Sequence, residues 1–253
     1  MIRPLITGNW KMFKTPRESL DFVGRLKEAL SDIRELDVVI APPFTSLYPV
    51  GVALKGSGIH LAAQNLYDKT EGAYTGEISA RMLIDVGCAY VIVGHSERRT
   101  LFGEKDKMIN GKLKMAIQSG LKPIFCIGET LAEREAGKTF TIIEQQIKEG
   151  LNQLSADDIG EILVAYEPVW AIGTGKTAAP EQAQEAHAFI RGVIAGDYQE
   201  ELADNLPILY GGSVSTDNIA KLMAQRDING ALVGGASLDV ETFVRIVNYK
   251  KIS

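Results

Sequence analysis

The stretch Ile162-Leu163-Val164-Ala165-Tyr166-Glu167-Pro168 carries the reading that decides the fold. A β-favouring apolar run ends in one carboxylate, and Pro168, which has no N–H for a sheet ladder, stops the strand there. Glycines then mark a loop, and Ala179-Pro180 opens a helical pattern from Pro180 to Ala195, so the segment reads as strand, loop, helix. The same unit recurs. Further apolar runs cover Pro4 to Trp10, Asp37 to Pro42, Ile59 to Asn65, Tyr90 to His95, Pro123 to Gly128, Pro207 to Ser213 and Gly230 to Gly235. Amphipathic stretches include Arg17 to Leu30, Lys105 to Ser119, Phe140 to Leu154, Thr216 to Gln225 and Val240 to Asn248. Eight near-continuously apolar strands alternating with helices predict an all-parallel sheet covered by helices. In a chain of 253 residues this fits an α/β closed (β/α)8 barrel, one domain over residues 1–253, better than an open doubly wound sheet.

Composition narrows the function. Apolar content of 45% and charged content of 23% supply an ordinary globular core. A net charge of −5 with no basic stripe argues against nucleic acid or an anionic membrane as partner. A small anionic substrate remains compatible if amides and one or two lysines hold it. No apolar run approaches a membrane span, and the turn at Gly8-Asn9 comes before any signal-peptide core. Cys88 and Cys126 lie far apart without metal spacing, and His60, His95 and His187 show no ligand pairing, so a reducing, cytoplasmic setting and no metal site are expected.

The loop after Glu167 is unusual, because its first residues, Val169-Trp170-Ala171-Ile172, are apolar where loops are normally polar. An acid or base beside an apolar lid is one reading; a solvated glutamate and a loop packed on a neighbour is the other. Gly175-Lys176-Thr177 imitates the end of a nucleotide-phosphate loop, but that pattern requires glycine where Trp170 stands. Gly173-x-Gly175-x-x-Ala178 fits a dinucleotide fingerprint only loosely, and its helix starts too late.

Ligands of such barrels bind at the carboxyl ends of the strands. Those ends collect Asn9 and Lys11, Gln64-Asn65, Gly94-His95-Ser96-Glu97, Cys126-Ile127-Gly128-Glu129, Glu167, Tyr210-Gly211-Gly212-Ser213 and Gly234-Gly235. Lys11 in isolation is a solvated lysine; beside Asn9 at a strand end it becomes a charge for an anion. His95 is either a core histidine or a hydrogen-bond donor. Ser96 as an N-cap would place His95 at a helix N-terminus, where the dipole disfavours imidazolium. Glu97 and Arg98 also read as a structural ion pair. The glycine pairs at the last two strands allow close backbone approach to a phosphate, against the plainer reading of tight turns. One base, one neutral electrophile, one fixed positive charge and a phosphate cradle point to proton transfer at a carbon next to a carbonyl. Two other readings are a phosphate-binding barrel serving as a sensor or scaffold, and an aldolase-type barrel with Lys11 as Schiff base.

Gly8-Asn9-Trp10-Lys11, Gly94-His95-Ser96-Glu97-Arg98-Arg99, Ala165 through Lys176, and Tyr210-Gly211-Gly212-Ser213-Val214 together resemble the triosephosphate isomerase family over the whole chain. The resemblance implies a cofactor-independent isomerase of glycolysis and gluconeogenesis that interconverts glyceraldehyde 3-phosphate and dihydroxyacetone phosphate through an enediolate. It implies that Glu167 moves the proton, His95 polarises the carbonyl, Lys11 and Asn9 bind the substrate and steady the enediolate, and Glu97 supports them. Main-chain groups at Gly173, Ser213, Gly234 and Gly235 would hold the phosphate. It also implies a homodimer in which the loop Gly72–Gly76 enters the partner. The sequence pattern offers Tyr74, at that loop's centre, no obvious partner in its own chain.

Overall fold

The structure, a computed structural model, describes residues 2–172 and 177–251. Its strands are β1 (Leu5–Asn9), β2 (Asp37–Ala41), β3 (Ile59–Ala63), β4 (Cys88–Val93), β5 (Lys122–Ile127), β6 (Leu163–Tyr166), β7 (Ile208–Tyr210) and β8 (Gly230–Val233). Each lies parallel to its sequence neighbours, and β8 returns to β1 with Gly230 opposite Leu5, closing the barrel. Closure depends on that glycine, since a Cβ at Gly230 would lie 2.0 Å from the Leu5 carbonyl oxygen. The expected (β/α)8 barrel is therefore the fold, and every run read as a strand overlaps one.

Successive strand side chains face opposite sides, which splits the core in two. Leu5, Val39, Ala41, Ile92, Ile124, Cys126, Leu163, Ala165, Leu209 and Leu232 fill the barrel interior. Ile6, Val38, Ile40, Val91, Phe125, Val164, Tyr166, Ile208 and Tyr210 face outward into the layer under the helices. The longer helices sit where the periodicity put them, at Pro16–Ala29, Asp106–Gln118, Thr139–Gly150, Pro180–Asp197 and Val240–Val247. Proline occupies the first helical position at Pro16 and Pro180, where a missing N–H costs nothing. Thr15 and Glu18 complete a capping box at the first of these. The stretch Thr216 to Gln225 yields only a short helix, Ile219–Met223. Helix Phe44–Leu54 escapes a sequence reading because Pro49 lies inside a run too apolar to show two faces.

Candidate active site

Strand alternation explains most of the placement. Leu163 and Ala165 point inward, so Glu167, one step past β6, does too, and it is buried. Asn9 follows from Leu5 in the same way. His95 breaks the rule: Val91 and Val93 face the helices, yet His95 lines the central cavity. Gly94 makes the switch, with a left-handed φ of 75° that only glycine takes cheaply. A side chain there would also press on Arg99, whose guanidinium donates to the carbonyls of Gly94 and Cys126.

The cavity, about 350 Å³, lies at the carboxyl end of the barrel and is lined by Asn9, Lys11, His95, Glu167, Ser213, Gly234 and Gly235, with Phe13, Ile172, Leu232 and Leu238 as apolar wall. His95 Nε2 is 3.0 Å from Glu167 Oε1, and the Ser96 N–H donates to Glu167 Oε2 at 2.8 Å. The Glu97 N–H donates to His95 Nδ1 at 3.2 Å. His95, not Ser96, is therefore the N-cap of helix Ser96–Leu101, because its ring accepts the orphan backbone donor that a serine hydroxyl was expected to take. With Nδ1 an acceptor, the ring proton sits on Nε2, and a neutral imidazole faces the cavity.

Lys11 takes a left-handed φ of 51°, a conformation that costs about 1 kcal/mol for a side-chain-bearing residue. Its neighbours hold it there. Its N–H donates to Asn9 Oδ1 at 3.0 Å, and Gln64 Nε2 donates to its carbonyl at 2.8 Å. The Lys11 ammonium meets Glu97 Oε1 at 2.5 Å, and its stem passes Gly234. Arg98 turns away to Glu104, so the anticipated Glu97–Arg98 pair gives way to Lys11–Glu97. The glycines divide by task. Gly211 and Gly212 are crowded by Glu167, Tyr210 and Pro168, whereas a Cβ at Gly235 would meet nothing and one at Gly234 only Lys11. The second pair opens on free space that a ligand can fill. Gly173, read as a phosphate contact, and the loop from 173 to 176 lie outside the described residues.

Two groups stood at strand ends in the sequence without a role. Gln64 is the brace on Lys11. Glu129, fully buried, accepts from Tyr166 OH at 3.1 Å, Trp170 Nε1 at 2.9 Å and Arg134 at 3.2 Å, tying the turn Val169–Ala171 to β5 and β6. Burial and then the Glu129 charge push the Tyr166 phenol up, so it stays a donor. Cys126 is held as a neutral thiol, raised by burial and then by the Glu167 charge. Tyr74 does have an intrachain neighbour: its ring lies 4.7 Å from that of Tyr67, while the residues around it, 71–77, are exposed. Among the described residues no cluster of His, Cys, Asp and Glu could hold a metal ion, and no helix is long and apolar enough to cross a membrane.

A family model described as triosephosphate isomerase matches residues 4–250. The chain is 55% identical over 252 residues to the triosephosphate isomerase of Syntrophotalea carbinolica, covering all of both chains. It is 52% identical over 251 residues to that of Geotalea uraniireducens, covering 99% of this chain and all of the relative. The Geobacter metallireducens protein of the same name is 54% identical over 250 residues, with 99% and 100% covered.

Proposed function

The chain belongs to the triosephosphate isomerase family and is an isomerase of triose phosphates in glycolysis, and on that premise we propose how its own residues carry the reaction. Glu167, as carboxylate, takes the proton from the carbon next to the substrate carbonyl. The released electron pair forms the carbon–carbon double bond of an enediolate, and charge moves to the carbonyl oxygen. His95 Nε2–H donates to that oxygen, exchanging its present contact with Glu167 for the substrate. The Lys11 ammonium and the Asn9 amide offset the developing charge, and Glu97 fixes Lys11 through their ion pair. Glu167 then returns the proton to the neighbouring carbon, while the proton of the adjacent hydroxyl passes to the former carbonyl oxygen by way of His95 Nε2, which turns aldose into ketose; the reverse sequence serves gluconeogenesis. Main-chain groups at Ser213, Gly234 and Gly235 hold the phosphate, chemically remote from both carbons.

The observation that carries this reading is a buried carboxylate 3.0 Å from the Nε2 of an imidazole whose Nδ1 is already an acceptor. The Schiff-base alternative loses ground, because Lys11 sits in a short ion pair and an ammonium has no lone pair to offer. The test is Glu167→Gln in a coupled isomerase assay. Turnover is expected to fall about 10²–10⁴-fold with thermal stability nearly unchanged, as for loss of a general base. A drop under about tenfold would remove Glu167 from the role.

The surface supports a reading of the assembly. Exposed apolar side chains gather on the connections after β1 to β4: Met12, Tyr48, Tyr74, Met82, Leu101 and Phe102. Exposed apolar groups of that kind suit a partner, and we read them, with the loop Gly72–Gly76, as the contact of a homodimer in which the loop enters the second subunit. Two free, buried cysteines, Cys88 and Cys126, suit a reducing cytoplasm. Residues 1–253 are read as one domain, since all eight strands belong to one barrel.

A further inference from the structure

Helix Pro180–Asp197 carries a fully buried histidine, His187, that the mechanism above does not use. Its Nδ1 lies 3.3 Å from the Asp227 carbonyl oxygen, which can only accept, so Nδ1 bears the proton and Nε2 is a bare acceptor. That Nε2 has no hydrogen-bond partner in the protein. Burial pushes the imidazole down to about 4, with the Asp227 carbonyl opposing and Arg191 assisting, so the ring is neutral at working pH. A leucine would fill such a site without burying an unsatisfied acceptor, so space-filling alone does not account for the histidine.

Its position does. The ring meets Tyr166 edge-on, with centroids 5.8 Å apart and planes at 89°, and stacks on Tyr210 at 6.4 Å and 30°. Tyr166 immediately precedes Glu167, and Tyr210 immediately precedes Gly211. The Gly211 N–H donates to the Tyr166 carbonyl at 2.7 Å, and a Cβ on Gly211 would lie 2.9 Å from Glu167 Cγ. The outward faces of β6 and β7 are thus keyed to His187 at the two residues whose successors set the floor and flank of the base. We infer that His187 is a positioning residue for the isomerisation, a ring anchored on Asp227 and wedged between Tyr166 and Tyr210 that fixes where Glu167 stands. The inference rests on Glu167 being the base. Displacing a catalytic group by a fraction of an ångström costs rate rather than affinity, since a misplacement of ~1 Å is worth about 100-fold.

The test compares His187→Gln, which keeps a donor for Asp227 but loses the ring, with His187→Phe, which keeps a ring. Both are assayed at a temperature where circular dichroism shows them folded. We expect kcat to fall about tenfold in His187→Gln with KM within about twofold, and most of the loss to be recovered in His187→Phe. Full turnover in His187→Gln, or a rise in KM without a fall in kcat, overturns the inference. A measurement on the unaltered enzyme covers the case of unfolded variants. Its three histidines give few imidazole resonances, and those of His187 should shift on binding 2-phosphoglycolate, a phosphorylated carboxylate shaped like the enediolate. Resonances that stay fixed while those of His95 move also overturn it. Glu167→Gln assayed alongside separates the failures: if that variant keeps its turnover the base assignment falls, and if only the His187 results fail the positioning role falls alone.

Discussion

At the scale of single residues, the site is held by what is absent as much as by what is present. A Cβ on Gly128 would lie 1.8 Å from the Glu167 carbonyl oxygen, so the end of β5 approaches Glu167 as closely as backbone allows. The Glu167 N–H donates to the Ile127 carbonyl at 2.7 Å, and Gln146 pairs with both the N–H and the carbonyl of Gly128. Gly128→Ala must therefore push β5 and β6 apart under Glu167. We expect a loss of about 1–3 kcal/mol in stability, as for other overpacked sites, and at least a tenfold fall in kcat, measured by urea unfolding and steady-state assay. Unchanged kcat in the folded variant would show that the base tolerates the shift. That Glu167, His95 and Lys11 line one cavity was legible in the sequence, because the strand ends of such a barrel converge. The capping role of His95 was not, since it depends on Gly94 turning the ring inward.

At the scale of elements, helices tolerate or demand their glycines according to what lies opposite. Gly24, exposed in helix Pro16–Ala29, would place a Cβ in open space. Gly24→Ala is expected to stabilise the protein by about 0.5–1 kcal/mol by reducing the freedom of the unfolded chain. Gly150 ends helix Thr139–Gly150 against the Phe125 ring, where a Cβ would sit 2.4 Å from Cζ. Gly150→Ala should destabilise by about 1–3 kcal/mol, because the ring lies in a packed core. Unfolding midpoints for the pair check the argument, and the same sign for both would defeat it. Nothing in the sequence distinguishes these two glycines; only the layer each helix packs against does.

At the scale of the molecule, closure of the sheet removes every strand edge and leaves association to side chains. The exposed apolar groups concentrate on the connections of the first four strands, together with a loop that is already shaped: Tyr74 lies on Tyr67 and covers Gly72. A preshaped loop loses little entropy on docking. Sedimentation at micromolar concentration should return a dimer, and replacing Tyr74 and Met82 with serine should shift it toward monomer and lower activity with it. A fully active monomer would exclude the proposed assembly.

The sequence by itself determined the architecture, because near-continuous apolar runs ending in glycine, proline or polar residues leave parallel strands under helices as the way to bury both faces. It also pointed to the strand ends where candidate site residues gather, since carboxyl strand ends of a barrel converge whatever fills the rest. Tertiary structure alone decided the pairings. Lys11 meets Glu97 across 86 positions, Glu129 gathers Tyr166 and Trp170, and His187 reaches Tyr166 and Tyr210 from another layer. Such contacts depend on which strands become neighbours on closing and on the side each residue faces after a glycine resets the alternation. That information is written in the closed ring of strands and in no local stretch of the chain.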